Sequence, residues 1–335
     1  MNRRSLYFVE PRRVEVREER VPLPAPGEVL VRSVVSAISA GTEMLFYRHQ
    51  VEDGIQLDAT IPALGAPLRY PFKYGYATVG QVVDRGHGVP KELEGRLVFA
   101  FHPHESHFSV PPDQLMVVPE GVHAEDAVLL PSMETAVSLV MDGAPLLGED
   151  VVVIGQGVIG LLTTALLAQM PLGSLTTLER YPLRRRLAEE MGGRSLDITA
   201  SADLLASAPA GADLVYELSG NPAALDTAMR LAGFEGRVVL GSWYGNKAAY
   251  VHFGEAFHRK RLRIIGSQVS YLSPALTGRW SKGRRLDLAW RMVEQVRPSR
   301  LVTHRFDVGE AEDAYDLVDR GGDGAVQVLL TYGGE

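Results

Sequence analysis

Two short stretches of the chain carry residue types at spacings that could do chemistry. The first is FHPHESHF, residues 101–108, which sets His102, His104, Glu105 and His107 close together. Imidazoles move protons near neutral pH, and two histidines spaced by one residue would share a face of a strand and could hold a metal ion. Zinc asks for a third and usually a fourth converging ligand. Pro103 interrupts the run, and Glu43 and Glu134 are the candidates to complete such a set. The chain has no cysteine, which removes thiolate ligands, thiolate nucleophiles and disulfides. Three readings stay open here: pocket-lining histidines, solvated loop histidines, or a metal site at His102 and His104.

The second stretch is VVVIGQGVIG, residues 151–160, where Gly155, Gly157 and Gly160 stand in G-x-G-x-x-G spacing after an apolar run. In that pattern the first glycine permits a tight turn and the second lets a pyrophosphate approach the backbone. The third lets a helix, opening here at Val158, pack against its strand. Glu179 follows 19 residues after Gly160, at the end of the next apolar run. A carboxylate there accepts from ribose hydroxyls and repels a 2′-phosphate, which favours NAD. Arg180 and the run Arg184–Arg186 could accommodate that phosphate, so NADP stays possible.

The elements that must position these groups divide into two textures. Residues 5–10, 13–19, 28–38, 77–86 and 95–101 read as valine-rich strands separated by Pro and Gly turns. Residues 124–144 then show one run of helical spacing. After it, short apolar strands alternate with helices up to residue 268, the signature of a parallel sheet covered on both faces. Amphipathic segments at 284–296 and 311–321 and a strand at 325–332 close the chain. The 335 residues suffice for two domains, and the net charge of −7 argues against nucleic acid or an anionic membrane as partner. The longest apolar run is too short for a membrane span, and the N-terminus lacks a signal-peptide core, so the expected location is cytoplasmic.

The stretches APGEVLVRSVVSAISAGTE, GYATVGQVVDRG, VVVIGQGVIG, YELSG, VVLGSW and IIGSQ, in that order, resemble the medium-chain dehydrogenase/reductase superfamily over nearly the whole chain. The opening portion looks most like its bacteriochlorophyllide a dehydrogenase branch. The resemblance implies an α/β chain: a β-rich GroES-like catalytic domain (1–134 and 268–335) and a Rossmann dinucleotide-binding domain (135–267). It also implies a homodimer acting on a small-molecule substrate. The zinc members carry C-x-T-D where this chain has Ala40-Gly41-Thr42-Glu43, and G-H-E-x-x-G where it has Gly75-Tyr76-Ala77-Thr78-Val79-Gly80. The catalytic zinc is therefore not expected to form.

By the same resemblance, Thr42 stands where the family keeps a proton-relaying hydroxyl, Tyr76 replaces a zinc-binding histidine, and Glu43 is an orienting acid. The 101–108 run would line the substrate cleft, where His102 or His104 could exchange a proton with the substrate oxygen. Thr135, Ser219 and the Gly241-Ser242-Trp243 turn would sit at the cofactor, and Arg184 at the adenosine ribose. Phe46, Tyr47, Tyr70 and Phe72 would widen the cleft wall, although core packing explains each equally well. The expected activity is zinc-independent hydride transfer between NAD(P) and a carbonyl, alcohol or conjugated carbonyl. A non-catalytic nucleotide sensor and a metal enzyme with relocated ligands are the alternatives.

Overall fold

Alternating valines and a short turn at Pro11-Arg12 fold β1 (Asn2–Glu10) onto β2 (Arg13–Arg20) as an antiparallel hairpin. β3 (Val29–Ala37) follows and leads into α1 (Thr42–Tyr47). β4 (Thr78–Arg85), β5 (Leu97–Ala100), β6 (His107–Val110) and β7 (Leu115–Val117) build an antiparallel sheet around β3. The computed structural model describes residues 2–199, 211–322 and 324–333.

The helical spacing at 124–144 resolves into two helices, α2 (Ala124–Ala127) and α3 (Leu130–Gly143). Pro131 explains the break: proline lacks an N–H and is tolerated only in a helix's first turn, so a new helix has to begin there.

Next come β8 (Asp150–Ile154), α4 (Val158–Leu167), β9 (Ser174–Glu179), α5 (Pro182–Glu190), β10 (Arg194–Asp197) and β11 (Ala212–Glu217). α6 (Ala224–Leu231), β12 (Ala232–Leu240) and β13 (Arg263–Gly266) complete a six-stranded parallel sheet in the order β10-β9-β8-β11-β12-β13. The order reverses beside β8, which creates the crevice where doubly wound sheets take ligands. Val152 and Ile154 pack with Leu225, Ala228 and Met229 of α6 on one face of the sheet. Val151 and Val153 pack with Leu139 of α3 and Leu167 of α4 on the other. Both faces are covered, and each of these buried strand residues contributes about 1.5–3 kcal/mol relative to an exposed side chain.

α7 (Lys282–Val296), β14 (Val302–Asp307), α8 (Ala311–Arg320) and β15 (Gln327–Thr331) end the chain. β15 pairs with β3 and carries β14 at its far edge, closing the first sheet. The chain divides into one unit of Met1–Pro131, Arg297–Gly321 and Gln327–Glu335, and another of Ser132–Val296 and Gly322–Val326. This differs from the expected division over residues 132–134, 268–296 and 322–326, which lie in the second unit. There Arg285 of α7 is buried against Glu134 of α3, at 2.6 Å and 3.1 Å.

No described helix is long and apolar enough to cross a membrane. Phe46, Tyr47 and Phe72 are core residues, not cleft wall. They pack with Phe8, Tyr74 and Tyr315 in the first unit's aromatic cluster, and Tyr70 packs against its rim.

Candidate functional site

In the first unit, β3 and β4 pair Ser36 with Thr78, and the Ala37 N–H donates to the Ala77 carbonyl at 3.0 Å. The residues just beyond this register are thereby set against each other: Ser39 after β3, Tyr76 before β4. The Tyr76 phenol donates to Ser39 Oγ at 2.7 Å, and the Thr42 N–H donates to the same oxygen at 3.3 Å. Burial pushes the phenol up to about 12, with the nearby Glu43 charge adding to the rise. Its hydrogen bonds with the Ser39 and Thr42 side chains oppose it. Thr42 and Tyr76 are thus brought together as expected, with Ser39 as a third hydroxyl. Ser39 carried no signal of its own, because no motif names that position and serine is common in turns.

Behind the three hydroxyls lies a buried polar chain. Glu43 Oε1 accepts the Ser39 N–H at 2.8 Å, and Oε2 accepts from His104 Nε2 at 3.0 Å and from the Tyr315 hydroxyl. His104 Nδ1 meets Ser36 Oγ at 2.7 Å, and Ser36 in turn meets the Tyr332 hydroxyl at 2.7 Å. Glu43 and His104 are both fully buried. A carboxylate can only accept, so Nε2 carries the proton, and both ring nitrogens are then engaged.

This corrects the expectation for His104: with no exposed surface and no free nitrogen, it cannot exchange a proton with a substrate. The same pairing makes Glu43 an orienting acid, because it fixes the backbone of the turn that carries Ser39 and Thr42.

His102 belongs to a different cluster. Residues 101–104 lie outside any strand, since β5 ends at Ala100 and β6 begins at His107, so the histidines do not form the face-sharing pair of a strand. His102 stacks on Phe108, with ring centroids 3.9 Å apart, and its Nε2 meets Glu105 Oε2 at 2.8 Å. Glu105 also receives Lys73, the Arg3 guanidinium at 3.4 Å and the Ser5 hydroxyl at 3.0 Å. Burial pushes the His102 imidazole down. Burial alone would raise the Glu105 carboxyl, but the His102 hydrogen bond and the Lys73 ammonium hold it down at about 2. His107 is buried as well, so none of the three is a solvated loop residue.

Glu134, the other acid considered for a metal site, is committed to Arg285. Among the described residues no group of three metal-ligating side chains converges.

In the second unit, Gly155 has φ +90°, and a Cβ there would lie 2.6 Å from Ser219 Cα. A Cβ on Gly160 would lie 1.9 Å from the Gly155 carbonyl oxygen, while one on Gly157 would meet open space. The first and third glycines are thus demanded by packing, and the second leaves room over the N-terminus of α4. No side chain caps that end, so its amides can face a pyrophosphate. Val158, the first helical residue, is half-exposed there.

Glu179 is buried at the end of β9, accepting N–H bonds from Gln156 (2.7 Å), Arg180 (2.8 Å) and Tyr181 (3.0 Å). Oε2 carries only the Gln156 bond and keeps capacity for a ribose hydroxyl. Arg180 and Arg184 stack on the Tyr181 ring at 4.4 and 5.0 Å, and Arg184 also donates to the Ala325 carbonyl at 2.7 Å. Thr135 lies half-buried on α3.

At the end of β11, Glu217 Oε1 accepts the Ser219 N–H at 2.8 Å, and Oε2 accepts the Tyr244 hydroxyl at 2.7 Å. Ser242 Oγ accepts the Gly220 N–H at 2.9 Å, Gly241 packs against Leu139 and Leu218, and Trp243 is exposed. Glu217 was not foreseen. A buried strand-end glutamate is indistinguishable in sequence from a solvent-facing one.

No family model matches the chain. Over 353 residues, covering 94% of this chain and 95% of the other, it is 25% identical to an uncharacterised zinc-type alcohol dehydrogenase-like protein, YphC, of Escherichia coli K12. A short chain alcohol dehydrogenase (RspB) from Escherichia coli CFT073, solved with NADH, superposes with a TM-score of 0.79 at 20% identity, covering 99% of both chains. A protein from Sinorhizobium meliloti 1021, solved with NADP, gives 0.78 at 21% identity, again covering 99% of both. The sequence relatives and structural neighbours are dehydrogenases of the alcohol dehydrogenase type. The chain has their fold: a parallel-sheet Rossmann-like unit and a mixed-sheet unit.

Proposed function

We propose that the protein is a zinc-independent, NAD(P)-dependent oxidoreductase that moves hydride between a nicotinamide and a carbonyl, alcohol or conjugated carbonyl. The observation that carries this reading is the hydroxyl cluster of Ser39, Thr42 and Tyr76 at the place where the resemblance expects a thiolate and an imidazole. Ala40 offers no donor, and the Tyr76 phenol donates its hydrogen to Ser39 at the position where the resemblance expects an imidazole. The donor set therefore does not fit zinc.

The loop of Gly155, Gly157 and Gly160 and the acid Glu179 do fit a dinucleotide, and a bound nicotinamide would supply or accept the hydride. NAD is the preferred cofactor, because Glu179 is held at the ribose end of β9. Arg180 and Arg184 beside Tyr181 leave NADP usable. The hydroxyl cluster that holds Thr42 and Tyr76 presents a hydrogen to the substrate oxygen and stabilises the negative charge that develops on it, the work a metal would otherwise do. His102 and His104 shape the framework around these groups. A homodimer is part of the same proposal, supported by β13, which lies at an edge of the parallel sheet with one side open to strand pairing.

Elemental mass spectrometry of tag-free protein, dialysed against a weak chelator, combined with NADH turnover tests this reading. The expected result is metal well below one atom per chain together with turnover of at least one quinone, enone or aldehyde. One zinc per chain would overturn the zinc-free part. Tight NADH binding without any turnover would replace the enzyme by a nucleotide sensor.

A further inference from the structure

We infer that Ser39 is a catalytic hydroxyl that hands its proton to the substrate oxygen and is refilled by Tyr76. The inference rests on the oxidoreductase reading above and names a residue that reading does not require. Ser39 Oγ already receives two hydrogens, one from the Tyr76 phenol at 2.7 Å and one from the Thr42 N–H at 3.3 Å. With both lone pairs taken, its own O–H must point away from these two groups, and among the described residues no acceptor is assigned to it. Ser39 is half-exposed, whereas the groups behind it are closed off. Its position is fixed from the protein side, since its N–H is held by Glu43 Oε1 at 2.8 Å and Glu43 is held in turn by His104 and Tyr315. A hydroxyl oriented in this way, with a proton source behind it and no acceptor in front, is built to donate outward.

In the direction of reduction, hydride from the reduced nicotinamide adds to the carbonyl carbon, and the C=O π pair becomes a lone pair on oxygen. That oxygen takes the Ser39 hydroxyl proton as the O–H bond of serine breaks. Ser39 Oγ takes the Tyr76 phenolic proton, and the phenolate recovers a proton from solvent water. One carbonyl, one reduced nicotinamide and one proton give one alcohol and one oxidised nicotinamide. A phenol remains a stronger acid than an aliphatic alcohol even when burial raises it, and hydride addition to an aldehyde or ketone leaves an alkoxide about as basic as that of serine, so for those acceptors neither transfer runs appreciably uphill.

The test compares wild type, Ser39→Ala, Ser39→Thr and Tyr76→Phe in the reduction of 1,4-naphthoquinone, 2-cyclohexen-1-one and benzaldehyde by NADH and NADPH, in H2O and D2O. Titration of the intrinsic fluorescence with NADH is run on each variant. The inference expects Ser39→Ala to lose about 10²-fold or more in kcat while binding NADH as wild type does, the range of a lost positioned proton donor. It expects Ser39→Thr to recover most of that loss, and the solvent isotope effect of wild type to fall in Ser39→Ala.

Wild-type kcat and an unchanged isotope effect in Ser39→Ala would overturn the assignment and leave the oxidoreductase reading standing. So would a Ser39→Thr variant that binds NADH normally yet is as slow as Ser39→Ala. Wild type that turns over none of the three acceptors would overturn that reading, and this inference with it.

Discussion

At the scale of single residues, the decisive features are three hydroxyls and the buried acid behind them. Tyr76→Phe keeps the ring and removes the donor. The expected outcome is a fall in kcat of about 10²-fold with NADH affinity unchanged, read by steady-state kinetics and fluorescence titration. The donor is the protonated phenol, whose half-ionisation is pushed up to about pH 12. The kcat/KM for reduction should therefore show no basic limb near pH 10, where an ordinary tyrosine would be half ionised. A limb at pH 10 in wild type that disappears in Tyr76→Phe would place the phenol in water instead.

Glu43→Ala strips the acceptor from the Ser39 N–H, His104 Nε2 and the Tyr315 hydroxyl. Each buried donor left without an acceptor costs about 1–3 kcal/mol, seen as a lower denaturation midpoint in urea at unchanged slope. An unchanged midpoint would mean that water takes over these contacts.

At the scale of elements, the strand-to-helix turn after β8 separates a packing requirement from a ligand requirement. Gly160→Ala forces a Cβ to 1.9 Å from the Gly155 carbonyl and should destabilise the whole unit, lowering Tm. Gly157→Ala places its methyl in open space, with an extended backbone that any residue adopts. Its Tm should match wild type, and its NADH affinity should drop by roughly tenfold or more because the methyl occupies the pyrophosphate's approach. Equal NADH affinity in Gly157→Ala would move the dinucleotide off this turn. The motif already gave the second glycine to the pyrophosphate and the third to packing, and the packed structure supplies the contact that makes the third indispensable.

At the scale of the whole molecule, the cluster of Arg3, Ser5, Lys73, His102 and Glu105 ties β1 to the segment before β6. The Glu105 carboxyl falls from its ordinary value of 4.5 to about 2 in the folded state. A depressed acid contributes stability that is fully present above 4.5 and is lost as pH falls through about 2. The contribution is on the order of 3 kcal/mol. Glu105→Gln should thus lower the unfolding free energy at pH 7 and flatten its dependence between pH 5 and 2, measured by urea melts across that window. A variant with the same acid limb as wild type would assign that limb to other carboxylates.

Much of the fold was legible because periodicity and turn chemistry are local. The apolar runs marked most strands of the two large sheets but not β6, β7, β10 or β14, and the glycine spacing marked the tight turn between β8 and α4, because each rests on contacts between residues close in the chain. Composition likewise told that Cys ligands were absent, and the family resemblance implied that Ala40 and Tyr76 stand where zinc ligands would be. Partnership across the chain was not legible. His102 and His104 are two residues apart, yet one is bound to Glu105 and the other to Ser36 and to Glu43, which also receives the Tyr315 hydroxyl from 272 positions further on. Ser39 became a candidate only when the β3–β4 register set it against Tyr76. A residue's chemical type is written in the sequence. Which hydrogen bonds it spends on its neighbours, and which it keeps for a ligand, depends on groups that only long-range packing brings within three ångströms.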